Sequence, residues 1–244
     1  MQTVSEPFVA ARSWARQPDR FFYTGMAAAA AMAVLVGFSR TYFLRSYFQT
    51  APLDAAFHVH GLVFSVWIAL FAVQTSLVAA QRTAIHRRLG WAGACLALLM
   101  VVVALNAAVH GAHRDIATGH AQEALAFFST PVLSMVMFAA LVALAVAKRA
   151  RPETHKRLML LATLSLLDAA VARWPVPGIG DSPLAYYGVT DAFILAAILY
   201  DFASRRSVSA VYLYGGLAIV VEQWLRDPLG ATATWQTLAG LALG

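Results

Sequence analysis

Charge is scarce in this chain. Asp, Glu, Lys and Arg together make up 12% of its 244 residues, against roughly 25% in an ordinary soluble domain. A chain that is 60% hydrophobic lacks the polar groups needed to cover a globule, so part of its solvent must be lipid. Cysteine is almost absent. Cys95 stands alone, which excludes an intramolecular disulfide and any thiolate cluster for iron–sulfur or structural zinc. Long polar stretches are missing too, and with them any room for a separate soluble domain.

What the chain does have is apolar blocks. A membrane span takes roughly 20 residues at the helical rise, and seven blocks qualify, at about 21–39, 57–80, 90–111, 123–147, 158–174, 184–203 and 208–225. The reading is all-α: a polytopic membrane helix bundle with seven transmembrane helices in one domain over 1–244. Residues 1–20 form a cytoplasmic N-terminal segment with three Arg ahead of an Ala-rich run, read as a retained signal anchor without a cleavage site. Residues 229–244 are too short to span and predict an interfacial helix.

The charges orient the bundle. With the N-terminus inside, thirteen basic residues fall on inner segments: Arg12, Arg16, Arg20, Arg82, Arg87, Arg88, Lys148, Arg149, Arg151, Lys156, Arg157, Arg205 and Arg206. Only five fall outside: Arg40, Arg45, Arg114, Arg173 and Arg226. Basic loops stay on the cytoplasmic side, so the chain is N-in and C-out, as in a bacterial inner-membrane protein. The net charge of +6 then reflects topology and contact with anionic lipids at the cytoplasmic face; nucleic acid is not needed to explain it.

Histidine is concentrated at the outer side. His58 and His60 open span two, and Asn106, His110 and His113 recur at i, i+4 and i+7 along one face of span three. His120 follows in the loop. Neutral imidazole ligates zinc, copper and iron alike, so His58, His60, His110 and His113 are candidate metal or haem ligands. The competing reading makes them polar caps where helices meet headgroups. Acidic residues inside spans are costlier, roughly 2.5–3.5 kcal/mol for an ionised carboxylate at a helix centre. Asp168 lies near mid-membrane, with Asp191 and Glu222 in the outer halves of spans six and seven. Arg173 is a candidate partner for Asp191 or Glu222. Asn106, Asp168, Arg173, Asp191 and Glu222 thus join the histidines in an expected outer polar pocket, with Tyr186, Tyr187, Tyr212 and Tyr214 as further hydroxyls.

Several architectures are excluded. Paired histidines about thirteen apart on two helices, as a two-haem bundle needs, are absent. Span seven has no His for a seven-span zinc hydrolase, and H-E-x-x-H does not occur. No Lys follows Lys156, which excludes a retinal Schiff base in the last span.

A short phrase repeats at two inner junctions: His86-Arg87-Arg88-Leu89-Gly90 and His155-Lys156-Arg157-Leu158-Met159. Both open an apolar helix, either as copies of one duplicated hairpin or as basic residues snorkelling to headgroups. With His58-Val59-His60-Gly61, these stretches resemble a group of bacterial multi-pass membrane proteins over roughly 57–175. More remotely, the chain is similar to small His-bearing membrane proteins that assist cytochrome oxidase assembly. The resemblance implies haem or copper handling near a respiratory membrane complex, with His58, His60, His86 and His155 as the matching positions. A complete repeat would put a His at the start of span four, and none is there. Three functions follow as expectations. The first is haem or transition-metal binding in electron transfer or respiratory-complex assembly. The second is a proton-coupled transporter using the intramembrane acids, and the third a non-catalytic membrane scaffold subunit.

Overall fold

The structure, a computed structural model, describes residues 17–244. Among these residues every regular element is helical: α1 (Gln17–Phe38), α2 (Ala55–Ala79), α3 (Thr83–Ala117), α4 (Ala121–Phe127), α5 (Ser129–Ala147), α6 (Pro152–Leu164), α7 (Asp168–Val171), α8 (Pro183–Arg205), α9 (Ala210–Gly230) and α10 (Ala233–Leu243), with one π-helical turn at Ser39–Phe43 after α1. Most of the proposed N-terminal segment, residues 1–16, lies outside the described residues.

Five stretches are long and apolar enough to cross a membrane: Pro18–Phe43, Ala55–Ala79, Thr83–Ala117, Ala121–Ala147 and Pro183–Arg205. They mark the chain as suited to a membrane. The other two expected segments do form helices, but of a different kind. Segment 158–174 is broken into α6 and α7, and 208–225 lies in α9, which carries Glu222, Arg226 and Asp227. Of these, α6–α7 lies at the centre of the bundle, whereas α9 buries one face and exposes Leu213, Tyr214, Leu217 and Val221 on the other. Leu160, Leu161, Ala162, Thr163 and Leu164 are fully buried in consecutive order. Five successive side chains cover every direction around a helix, so this stretch is enclosed by other elements on all sides.

Local chemistry explains the breaks. Pro131 cannot donate to the carbonyl four residues back and its ring crowds that carbonyl, so the fourth segment is interrupted at Phe128 between α4 and α5. In α6, the Thr163 hydroxyl donates to the Met159 carbonyl and the Ser165 hydroxyl to the Ala162 carbonyl. Such back-bonding bends helices, and the chain leaves the α-helical path at Ser165–Leu167 before α7 resumes. α1 then packs directly on α7. A Cβ at Gly37 would collide with the Ala170 backbone, and Trp174 Nε1 donates to the Ala33 carbonyl at 3.1 Å.

The two ends of the bundle are distinct. The start of α1, the end of α2, the starts of α3 and α6 and the end of α8 meet at one end, which we call the basic end. Lys156 and Arg205 both bond Asp19 there, and His86 faces His155. At the opposite end the tail forms α10, as expected of a helix, and seats Ala239 and Leu243 against Ala112 and Phe128.

Candidate functional site: a buried carboxylate centre

The expected outer histidines are not drawn to one point. His58 is exposed, with Nε2 3.4 Å from Arg45. His110 lies 3.8 Å from Asp54. At about 1.5 Å per residue, α3 is roughly 52 Å long, well beyond a ~30 Å hydrocarbon core. In its last turns His113 contacts the Leu243 carbonyl at 2.7 Å. His120 immediately precedes α4 without a side-chain capping bond, its Nδ1 3.3 Å from the Thr118 hydroxyl. Asn106 is exposed on α3. His60 differs from these: its ring stacks on Phe64 at 4.2 Å and its Nδ1 is buried without a partner. Among the described residues, no group of three or more His, Cys, Asp or Glu side chains is arranged to hold a metal ion.

The acids, by contrast, do converge. Asp168 at the start of α7, Asp191 in α8 and Glu222 in α9 surround Gln223 and Arg226. Positions 222, 223 and 226 share one helical face by the i, i+3, i+4 rule. Arg226 holds Glu222 through two contacts, Nε to Oε1 at 2.7 Å and Nη2 to Oε2 at 2.8 Å. Its third nitrogen, Nη1, lies 2.9 Å from Asp168 Oδ2, a distance suited to an ion pair but without hydrogen-bond alignment. Gln223 Nε2 donates to Asp168 Oδ1 at 3.2 Å. Gln223 also neighbours Asp191, yet Asp191 Oδ1 and Gln223 Oε1 are both buried with no partner. The guanidinium of Arg226 lies 5.5 Å from the centre of the Tyr187 ring, a desolvated cation–π contact. Asp168, Gln223 and Arg226 are each no more than 5% exposed.

Arg173 does not join this centre. Instead it donates to the Ala169 carbonyl at 2.6 Å and lies over the Phe38 ring. Arg226 takes the role expected of Arg173, because it lies on the same helical face as Glu222, one turn further along α9. Of the four tyrosines, Tyr187 belongs to the centre and Tyr186 packs on it. Tyr214 is exposed, and Tyr212 lies at the other end, its hydroxyl 2.9 Å from that of Tyr23.

A second ionic cluster, at the basic end, was not visible as a cluster in the sequence. Asp19 accepts from Lys156 Nζ at 2.7 Å, from Arg205 Nη2 at 2.7 Å and from the Tyr200 hydroxyl at 2.6 Å. Asp201, fully buried, accepts from Arg157 Nε at 2.9 Å and Nη2 at 2.7 Å, and from Arg205 Nη1 at 3.0 Å. Glu153 closes the cluster through Lys156 and Arg157. Burial works against ionisation of Glu153, but hydrogen bonds from Lys156 and Arg157 prevail and hold its carboxyl below its ordinary range. Three acids thus face three bases, and the charges cancel. Lys156 and Arg157, read from the sequence as topological charges, are largely spent here. The repeat histidines stand nearby: His155 Nδ1 bonds the Ala145 carbonyl at 2.8 Å, and the two rings are 6.3 Å apart.

The two clusters differ in their charge count. The carboxylate centre sets Asp168, Asp191 and Glu222 against Arg226 alone. With all three acids ionised, it would hold an uncompensated charge in a site where Asp168 and Glu222 are buried and Asp191 half-buried, which is unfavourable. Its three oxygens without a hydrogen bond, Asp168 Oδ2, Asp191 Oδ1 and Gln223 Oε1, are all acceptors, so what the centre lacks is a donor: a proton or a cation.

Compared with protein-family models, curated proteins and solved structures, the chain matches none. The fold and its composition define a class by themselves. This is an all-helical bundle with five membrane-length apolar helices, compatible with an integral membrane protein, and with a charged interior.

Proposed function

We propose that this chain is a seven-crossing protein of the bacterial inner membrane, N-terminus inside, that binds and relays protons through the Asp168 centre as a proton-coupled transporter. The observation behind this reading is the charge imbalance: among the described residues, the buried Asp168 and Glu222 and the half-buried Asp191 are set against one guanidinium, with acceptors left open at Asp168, Asp191 and Gln223. The five apolar helices supply five crossings, and the buried α6–α7 and the half-buried α9 supply the other two. Both of those carry members of the centre. Asp191, which no cation contacts, holds the proton. Gln223 lies between it and Asp168, and Arg226 pairs with Asp168 and Glu222. A broken helix bearing a carboxyl group deep in a bundle is a recurrent way to place an ion site where helices can move past one another.

The experiment is infrared spectroscopy of the purified protein at neutral pH, combined with proton counting on alkaline titration. Wild type should show a protonated carboxyl band and release one more proton than Asp191→Asn, which should lack the band but fold normally. Asp168→Asn should shift that band, since the amide keeps shape and hydrogen bonding while removing the charge opposite Arg226. A wild-type spectrum without any protonated carboxyl group would overturn the reading and leave the centre as a packing device.

A second reading, haem or a transition metal bound near the outer face, is favoured by one observation: the buried Nδ1 of His60 has no partner.

A further inference from the structure

α1 contains two glycines with opposite roles. Gly37 lies against the Ala170 backbone, whereas a Cβ at Gly25 would meet nothing within 4 Å. The open space at Gly25 belongs to a groove of about 470 Å³ between the start of α1 and the end of α2, lined by Arg20, Phe21, Thr24, Gly25, Ala28 and Ala79. Its walls are mostly apolar, Arg20 and Thr24 supply its polar groups, and beneath its surface Arg20 Nε and Thr24 Oγ1 have no hydrogen-bond partner among the described residues. Unpaired buried donors cost roughly 1–3 kcal/mol each, so the groove is incomplete as it stands. Among the described residues no carboxylate lines it. The neighbouring acid, Asp19, is already bonded to Lys156, Arg205 and Tyr200.

These features specify the occupant. It must carry an anionic acceptor at the Arg20 end, where the bundle surface is reached, and an apolar chain running inward past Gly25 toward Ala28. From residue 20 to residue 28 a helix rises about 12 Å, which places the cation at headgroup depth and Ala28 well into the hydrocarbon. We propose that this groove binds one anionic phospholipid, its phosphate accepting from Arg20 and Thr24 and one acyl chain lying over Gly25 and Ala28. The site is separate from the carboxylate centre and does not depend on its function. It also differs from general attraction to the basic end, because it is shaped by a missing side chain on α1.

The test is native mass spectrometry of the full chain taken from nanodiscs holding equal amounts of phosphatidylglycerol and phosphatidylcholine. Wild type should retain a single phosphatidylglycerol. Arg20→Gln should lower the phosphatidylglycerol-to-phosphatidylcholine ratio by about fivefold, the worth of one cation beside an anionic headgroup. Arg82→Gln, which removes an exposed charge at the same end, should leave the ratio unchanged. Gly25→Leu, filling open space without a clash, should abolish retention of either lipid, while Gly188→Leu, on an equally open stretch of α8, should not. Equal retention of the two lipids by wild type, equal effects of Arg20→Gln and Arg82→Gln, or a Gly25→Leu variant that still holds phosphatidylglycerol would each overturn the proposal.

Discussion

Replacing Asp201 with Asn tests whether the basic-end cluster holds the bundle together through its charge balance. Asp201 accepts four hydrogen bonds, from Arg157 Nε and Nη2, Arg205 Nη1 and the Ser209 amide. Asn keeps the shape but offers one oxygen, and it turns an NH₂ group toward guanidinium donors. Three cations would then face two anions, with Arg157 still buried at 3% exposure. Breaking one side of a buried pair costs about 3–5 kcal/mol, because the surviving charge is left uncompensated. At roughly 2–4 °C per kcal/mol for a chain of this length, the midpoint of thermal unfolding should fall by roughly 6–20 °C. The assay is loss of helical circular dichroism on heating in a mild detergent. The double variant Arg157→Met/Asp201→Leu supplies the contrast. It removes more native hydrogen bonds, but it leaves Asp19 and Glu153 against Lys156 and Arg205, so the balance is restored. It should therefore be at least as stable as Asp201→Asn. A single variant within roughly 2 °C of wild type, or a double variant less stable than the single, would refute the reasoning.

Two further expectations concern topology and cofactor. Reporter fusions after Arg88, Lys156 and Arg206 should report cytoplasm and fusions within 114–120 and 176–182 periplasm; a periplasmic signal after Arg88 or Lys156 would reverse the orientation or the crossing count. If a haem or metal sits near the outer face, purified protein should show a Soret band or stoichiometric metal that His60→Ala removes and His120→Ala keeps, and carefully prepared wild type with neither would end that reading.

The sequence by itself determined the helices, because a backbone in lipid must satisfy its hydrogen bonds internally and an apolar run of the right length has no other form available. It also determined the cost of Asp168, Asp191 and Glu222, since desolvation is a property of depth. The acids are legible as a candidate site for that reason, and three acids among the most basic segments, Asp19, Glu153 and Asp201, are the sequence sign of a second cluster. Partners were another matter. Helical periodicity gives a residue its face and its level but not the helix it meets, and in lipid that choice falls to van der Waals packing of whole surfaces. Only the tertiary structure could therefore bring Lys156 to Asp19, 137 positions away, or choose Arg226 over Arg173 for the carboxylate centre. The outer histidines make the same point in reverse. They share a level in the sequence, but the length of α3 and the seating of α10 send His58, His110 and His113 to Arg45, Asp54 and Leu243 respectively. Depth was written in composition, while adjacency was decided by packing.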